Sequence, residues 1–447
     1  MKRVIYFIVA LCALCSTVAN AALLNINPET VEAEAWTILD PQSGQVIAEH
    51  NSHVQRAPAS LTKMMVAYIA LKEIKAGHLN KNEVLTATPV VNVVQWDESQ
   101  MYLKPGEQIT VDHLLAGLVV MSANDAAVTL AEKISGGLPQ FIERMNKEAK
   151  ALGMNDTHFQ NPAGITMPEH YSSAADLARL GRALVQETPD YLNYSKQTSF
   201  SYNNHFHKAT NILLKQDPTV DGMKTGFTKA AGYNLALTAN RPSGLHNVPD
   251  RRLIVVVMGT KSGLKRAEVA HKLMNLAYVY TRNEVAIKDK QLIAELPVIK
   301  STLKMFKVET KKPQIITTSL FDPALTIDMN TFDQPHQRVM LDTGNGLLQG
   351  IEPLQQTQTH MNIEVNEKLL TAPLAQVMKL VTVNVYQNNQ LINTIDIEDD
   401  VNIDEANVFE RFLFWLKSVF GIFSAGSGAV KTYPLRNNRP AEFLSVR

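Results

Sequence analysis

The sequence predicts a mixed α/β (α+β) catalytic unit with a sheet covered by helices on both faces. A small all-β domain and a C-terminal amphipathic helix follow it. Three observations carry this. Strand-like runs at residues 35–40 and 45–49 are separated by a long stretch of helical periodicity from a second strand group at 221–228, 233–239 and 252–259. Beyond about Asn283 the helical signal gives way to short alternating runs bounded by turns. Residues 408–423, from Val408 to Phe423, gather their apolar side chains on one half of a helical wheel.

At 447 residues, 45% of them hydrophobic and 19% charged, the chain is long enough for two or more globular domains. Lys plus Arg and Asp plus Glu both number 43, so the charge balance argues against a nucleic-acid partner. Lys2 and Arg3, an apolar run at 4–14 and the small triplet Ala19-Asn20-Ala21 read as a secretory leader over 1–21, cleaved before Ala22. Both cysteines, Cys12 and Cys15, fall inside it. Leu11 and Leu14 stand where a lipoprotein would need a small residue. The mature chain is therefore expected to hold no disulfide and no cysteine metal site, and to work in the envelope of a bacterium.

Taken in order, the first two strand runs flank Pro41-Gln42-Ser43-Gly44 and read as a hairpin. Pro58 then stops the chain, and residues 64–71 are apolar nearly all round, which marks a core helix with Ser60 at its first turn. Residues 111–121 follow helical spacing into Ser122-Ala123-Asn124-Asp125, where Asn124 or Asp125 is the expected cap of a second helix. Further helices are expected at 139–152 and 174–186, with 155–168 between them as a loop. The β-branched run 252–259 suits a strand buried on both faces, and a helix over 264–280 closes the unit.

The later runs, at 314–318, 324–328, 339–342, 362–365, 379–386 and 391–397, form the expected β domain, which carries no catalytic constellation. The boundaries expected are 22–283 for the catalytic unit, 284–403 for the β domain, 404–424 for the amphipathic helix and 425–447 for a flexible, mildly basic tail. Sixteen helical residues rise about 24 Å, too short to span a bilayer. The segment should lie in a membrane interface, or pack its apolar face on the β domain.

Chemistry is carried by three short motifs in order. Ser60-x-x-Lys63 sets a hydroxyl and an ammonium on one helix face, where a neutral lysine could activate the serine. Ser122-x-Asn124 lies at a helix junction, and Lys224-Thr225-Gly226 on a strand. Each recurs singly: Ser262 with Lys265, Ser301 with Lys304, Ser201 with Asn203, and Lys261-Ser262-Gly263. Only the set in this order discriminates, and it is the set found in class A β-lactamases and penicillin-binding proteins. The twelve histidines include no His-x-x-x-His pair, so no metal or other cofactor is expected.

With its flanks, Ala57-Pro58-Ala59-Ser60-Leu61-Thr62-Lys63, Met121 through Ala127, Phe159-Gln160-Asn161-Pro162-Ala163-Gly164 and Asp221 through Gly226, the chain resembles the low-molecular-mass penicillin-binding proteins of the D-alanyl-D-alanine carboxypeptidase type. That resemblance implies a β-lactamase/transpeptidase-like catalytic domain with an antiparallel sheet, peptidoglycan stem peptides as substrate and β-lactams as inhibitors. It also implies a periplasmic protein held peripherally on the inner membrane by the amphipathic helix.

By the same resemblance Ser60 is the nucleophile and Lys63 its base. Ser122 relays a proton to the leaving amine, and Asn124 holds Lys63 and the substrate amide. Thr225 and Arg266 receive the terminal carboxylate, and the amides of Ser60 and Phe227 form an oxyanion hole. The substrate backbone pairs with the strand 224–228 beside Gly226. Lys224, with partial desolvation, is expected to lower the pKa of Lys63. Arg266 could instead be a solvated helix-start arginine. A β-lactamase, a cross-link endopeptidase and a non-catalytic wall-peptide binder remain alternatives on these motifs. A tail beyond the amphipathic helix and the Gln-, His- and Gly-rich stretch 334–359 depart from the family pattern.

Overall fold

The computed structural model describes residues 22–242, 250–320, 325–330, 359–410, 412, 416 and 429–435. The expected leader, the run 339–342, nearly all of 334–359 and most of 408–423 lie outside them.

After a short strand β1 (Asn25–Ile26), β2 (Ala35–Leu39) and β3 (Val46–His50) form the expected hairpin, with Trp36 opposite His50. Asp40 closes its turn by accepting the amides of Gln42 and Ser43. A 3-10 turn (Ala59–Thr62) leads into α1 (Lys63–Lys75), buried on every side as far as Leu71. β4 (Val84–Thr86) pairs with β5 (Gln108–Thr110), and Thr110 caps α2 (Val111–Ala116) through the His113 amide. The helix expected over 111–121 changes character at Gly117, where a π-helical turn (Gly117–Met121) carries the chain to Ser122.

α3 (Asn124–Ser135) and α4 (Leu138–Ala151) follow. The cap expected of Asn124 or Asp125 is not made, because Ala123 is the cap residue and both side chains point to other partners. α5 (Ala174–Glu187) is capped by Ser173, whose hydroxyl accepts the Asp176 amide. Then come α6 (Tyr191–Ser195), the hairpin β6 (Ser199–Tyr202) and β7 (His205–Lys208), and α7 (Leu213–Gln216). β8 (Val220–Thr228), β9 (Gly232–Arg241), β10 (Arg251–Thr260) and α8 (Gly263–Tyr280) complete the unit.

The five long strands make one antiparallel sheet in the order β3-β2-β10-β9-β8, which leaves β8 on an edge. Two cores sandwich it. Ile254, Val256 and Met258 of β10 face the cluster built by α1, α2, α3 and α5. Their neighbours Leu253, Val255 and Val257 face the cluster under α8. The uninterrupted apolar run of β10 is thus explained by burial on both faces.

Beyond α8 the described residues as far as Ile403 carry only strands and turns. β11 (Thr281–Ile287) pairs with β14 (Gln314–Ser319), and β12 (Leu292–Ile299) with β13 (Met305–Glu309). β15 (Thr326–Ile327) pairs in parallel with β1, which ties the two ends of the described chain's first three quarters together. β16 (Thr359–Val365), β18 (Leu374–Gln387) and β19 (Gln390–Ile403) form a three-stranded sheet, while the short β17 (Leu370–Thr371) joins β12. Asn388 and Asn389, at φ 50° and 63°, turn β18 into β19 in a two-residue loop. The core under α8 continues into Ile293, Leu296, Val381 and Ile397. Gln45 on the β2–β3 hairpin also reaches across, donating to the carbonyls of Thr317 and Ile392 and accepting the Thr317 amide.

Within the segment expected as a flexible tail, the described residues 429–435 are anchored: β20 (Lys431–Thr432) pairs antiparallel with β12, the Tyr433 amide donates to Ile293 and Leu435 is buried. Of residues 408–423, the described Val408, Phe409 and Phe412 are more than half exposed. Among the described residues no helix is long and apolar enough to cross a membrane.

Candidate active site

Ser60 sits where the turn before α1 is held from three directions. Asn234, fully buried on β9, donates to the carbonyls of Ala57 and Pro58 and accepts the amide of Gly259. Gly226 of β8 presses on the turn so closely that a Cβ there would stand 2.9 Å from Leu61 and 3.0 Å from the Ser60 amide nitrogen. Gly164, at φ +86°, lies on the third side, where a Cβ would overlap the Ala59 carbonyl at 2.0 Å. Ala59 itself adopts φ 50°, a left-handed conformation that costs a non-glycine residue about 1–2 kcal/mol. The surrounding hydrogen bonds hold it there.

One turn on, Lys63 is almost completely buried, and its Nζ donates to Ser60 Oγ at 3.1 Å and to the Ala163 carbonyl at 2.5 Å. Asn161 shapes that carbonyl's loop by accepting the amides of Ala163, Gly164 and Ile165 on one oxygen. Burial pushes the Lys63 ammonium down to about 7, against the opposing pull of Glu98 and then Asp125. Next to it His170 takes the Gln160 amide on Nδ1 and meets Thr62 Oγ1 through Nε2. Burial, reinforced by His158 and Lys63, lowers its pKa to about 4 and keeps it neutral.

Ser122 ends the π-helical turn at φ 63°, and its hydroxyl oxygen is buried without a hydrogen-bond partner. The relay expected of it is therefore not closed by a hydrogen bond here. Asn124 differs from expectation too: its amide donates to Glu98 Oε2 at 2.5 Å rather than holding Lys63. Lys224 is buried on β8 and donates to the Thr225 carbonyl at 3.1 Å. Its pKa falls well below the usual lysine value through burial, then through Lys63 and Arg266. Burial is the leading cause of the lowered pKa of both lysines, and the repulsion between their two ammonium groups acts in the same direction.

Thr225 shares a hydroxyl contact with Thr210, from the segment before α7. Arg266 is buried rather than solvated. It donates to the Gly226 carbonyl at 3.2 Å, and burial lowers its pKa to about 10. Phe227 is half exposed and lies against Tyr233 with ring centroids 4.2 Å apart and the planes tilted by 30°.

The repeated motifs resolve as ordinary structure. Ser262 caps α8 through the Lys265 amide, and Lys265 pairs with Glu32 and Glu268. Ser301 takes the Leu303 amide in a turn, and Asn203 bonds Glu107 in the β6–β7 hairpin. Glu98, Asn161, Ala163, Thr210 and Asn234 belong to the site but carry no motif. Asn161 and Ala163 lie within one of the flanking matches noted above, which is the only sequence signal for any of them. Among the described residues no group of three or more His, Cys, Asp or Glu side chains could hold a metal.

A sheet sandwiched by helices, with a serine and a buried lysine at the start of the central helix and a Lys-Thr-Gly edge strand across from them, defines the class of serine-type hydrolases. Residues 22–262 match the D-alanyl-D-alanine carboxypeptidase family. The chain belongs to that family, as a low-molecular-mass penicillin-binding protein. It is 39% identical over 262 residues to D-alanyl-D-alanine carboxypeptidase DacD of Salmonella typhimurium, covering 57% of this chain and 65% of that protein. To DacA of Escherichia coli it is 35% identical over 308 residues, covering 67% of this chain and 74% of that protein. Penicillin binding protein 5 from Haemophilus influenzae superposes with a TM-score of 0.68 at 28% identity, covering 85% of this chain and all of that one.

Proposed function

We propose that this chain is a serine-type D-alanyl-D-alanine carboxypeptidase, acylated at Ser60 by wall peptides and by β-lactams. The observation that carries the reading is the 3.1 Å contact from a buried Lys63, with its pKa near 7, to Ser60 Oγ. Such a lysine is neutral in a large share of molecules at neutral pH and can take the serine proton.

Ser60 Oγ attacks the carbonyl carbon of the penultimate D-alanine while its proton passes to Lys63. The carbonyl oxygen gathers negative charge toward the amides of Ser60 and Phe227, each such donor worth about 2.7–4 kcal/mol. The C–N bond to the terminal D-alanine breaks as its amine gains a proton through Ser122. Water, deprotonated by Lys63, then cleaves the ester. Lys224, Thr225 and Arg266 line the place for the terminal carboxylate, Asn124 meets the substrate amide, and the stem peptide extends β8 as an added strand. The proposed organisation is a leader over 1–21, a catalytic unit over 22–283, a β domain over 284–403 and a periplasmic protein resting on the inner membrane through residues 404–424.

Mass spectrometry after incubation with penicillin should find the adduct on the peptide that contains Ser60. A pentapeptide should release D-alanine, and Ser60→Ala should abolish release. No adduct at any penicillin concentration would overturn the reading.

A further inference from the structure

The loop between the 3-10 turn Pro89–Val93 and β5 carries none of the motifs, yet it holds the second one from two sides. The Ser99 carbonyl accepts the main-chain amide of Asn124 at 2.7 Å, and Glu98 Oε2 accepts its side-chain amide at 2.5 Å. In return Asp125 accepts the amides of Met101 and Leu103. Loop and helix start are therefore braced reciprocally, and Glu98 is the one carboxylate of this brace that is not itself tied down by backbone amides among the described hydrogen bonds.

We infer that Glu98 is a positioning residue of the acyl-transfer site: it fixes which end of the Asn124 amide meets the substrate and supplies negative charge beside Lys63. This rests on the serine acyl-transfer reading above. An ionised carboxylate only accepts hydrogen bonds, so the Asn124 NH₂ end turns to Glu98 and its oxygen is presented elsewhere as an acceptor. Without that partner the two ends of the amide are nearly interchangeable in shape, and the orientation is lost.

The charge matters because of what else faces Lys63. Asp125 comes from α3, Lys224 from β8 with Arg266 of α8 behind it, and His170 from the segment before α5. Of the two anions Glu98 has the larger effect on Lys63. Burial alone would drive the lysine further down. A base far below the working pH sheds its proton readily but is too weak to take one from serine. Glu98 opposes burial and keeps Lys63 near neutrality.

The test is the rate of acylation by a fluorescent penicillin from pH 5 to 9, measured on the full mature chain, with thermal unfolding alongside. Glu98→Gln keeps an acceptor oxygen and removes the charge, so the acid limb should move down by about one pH unit. Glu98→Ala should lose about 10- to 100-fold in the plateau rate as Asn124 loses its orientation. If wild type is acylated and the Glu98→Gln profile superimposes on it, the inference is overturned while the acyl-transfer reading stands. If wild type is not acylated at all, the acyl-transfer reading fails and the role of Glu98 falls with it.

Discussion

Gly226 passes so close to Ser60 that a Cβ on it would lie 3.0 Å from the serine's amide nitrogen, tighter than ordinary van der Waals contact. The glycine of the Lys-Thr-Gly strand is thus what lets the edge strand pack directly against the Ser60 turn. Gly226→Ala should push the turn away from β8 and lose the alignment of the Ser60 amide. Acylation is expected to fall about 10²–10³-fold, the cost of one oxyanion donor. Circular dichroism should show the fold retained, and a wild-type acylation rate would refute the close-approach argument.

Acylation should depend on pH through Lys63. Its pKa lies at about 7, and the neutral form is the base. The rate should therefore rise with pH through about 7 and be lost below it as the lysine is protonated. Because burial is the leading cause, Lys224→Gln should move that midpoint only slightly upward while weakening capture of a substrate carboxylate. A KM increase for the pentapeptide with an acid limb moved only slightly upward is the expected pair of results. A large upward shift of the limb would show that Lys224 tunes Lys63 after all.

Asn234→Ala should destabilise the protein and misplace the nucleophile together. The side chain is fully buried and satisfies two carbonyls and one amide, so its removal leaves buried groups unpaired. Each such group costs about 1–3 kcal/mol. Urea denaturation should show a loss in this range, with a fall in penicillin acylation. Stability unchanged within about 0.5 kcal/mol would mean that water replaces the asparagine.

Truncation after residue 428 should destabilise the all-β part. It removes β20 from the β12 edge and the buried Leu435 from the core under α8. Burying a leucine is worth about 1.5–3 kcal/mol. Leu435→Asp should reproduce most of the loss, read as a lowered thermal midpoint, and an unchanged midpoint in both variants would rule out a structural role for the tail.

The parts of this protein legible in its sequence are those set by near neighbours along the chain. Helical spacing alone puts Ser60 and Lys63 on one face, and Pro-Gly chemistry turns the β2–β3 hairpin. A run of branched residues marks β10 as buried on both sides. Order and flanks of the three motifs were enough to separate them from their repeats, whose members turn out to be a helix cap, a loop turn and a hairpin end.

Contacts between distant segments were not legible, because no local pattern encodes them. The Ala163 carbonyl on Lys63, Glu98 on Asn124, Asn234 under the nucleophile turn and Lys431 on β12 each join residues far apart in sequence. The same holds for the energetics. That Lys63 is a lysine is written in the sequence, but its lowered pKa comes chiefly from the protein packed around it, and burial exists only once the sheet and helices have closed.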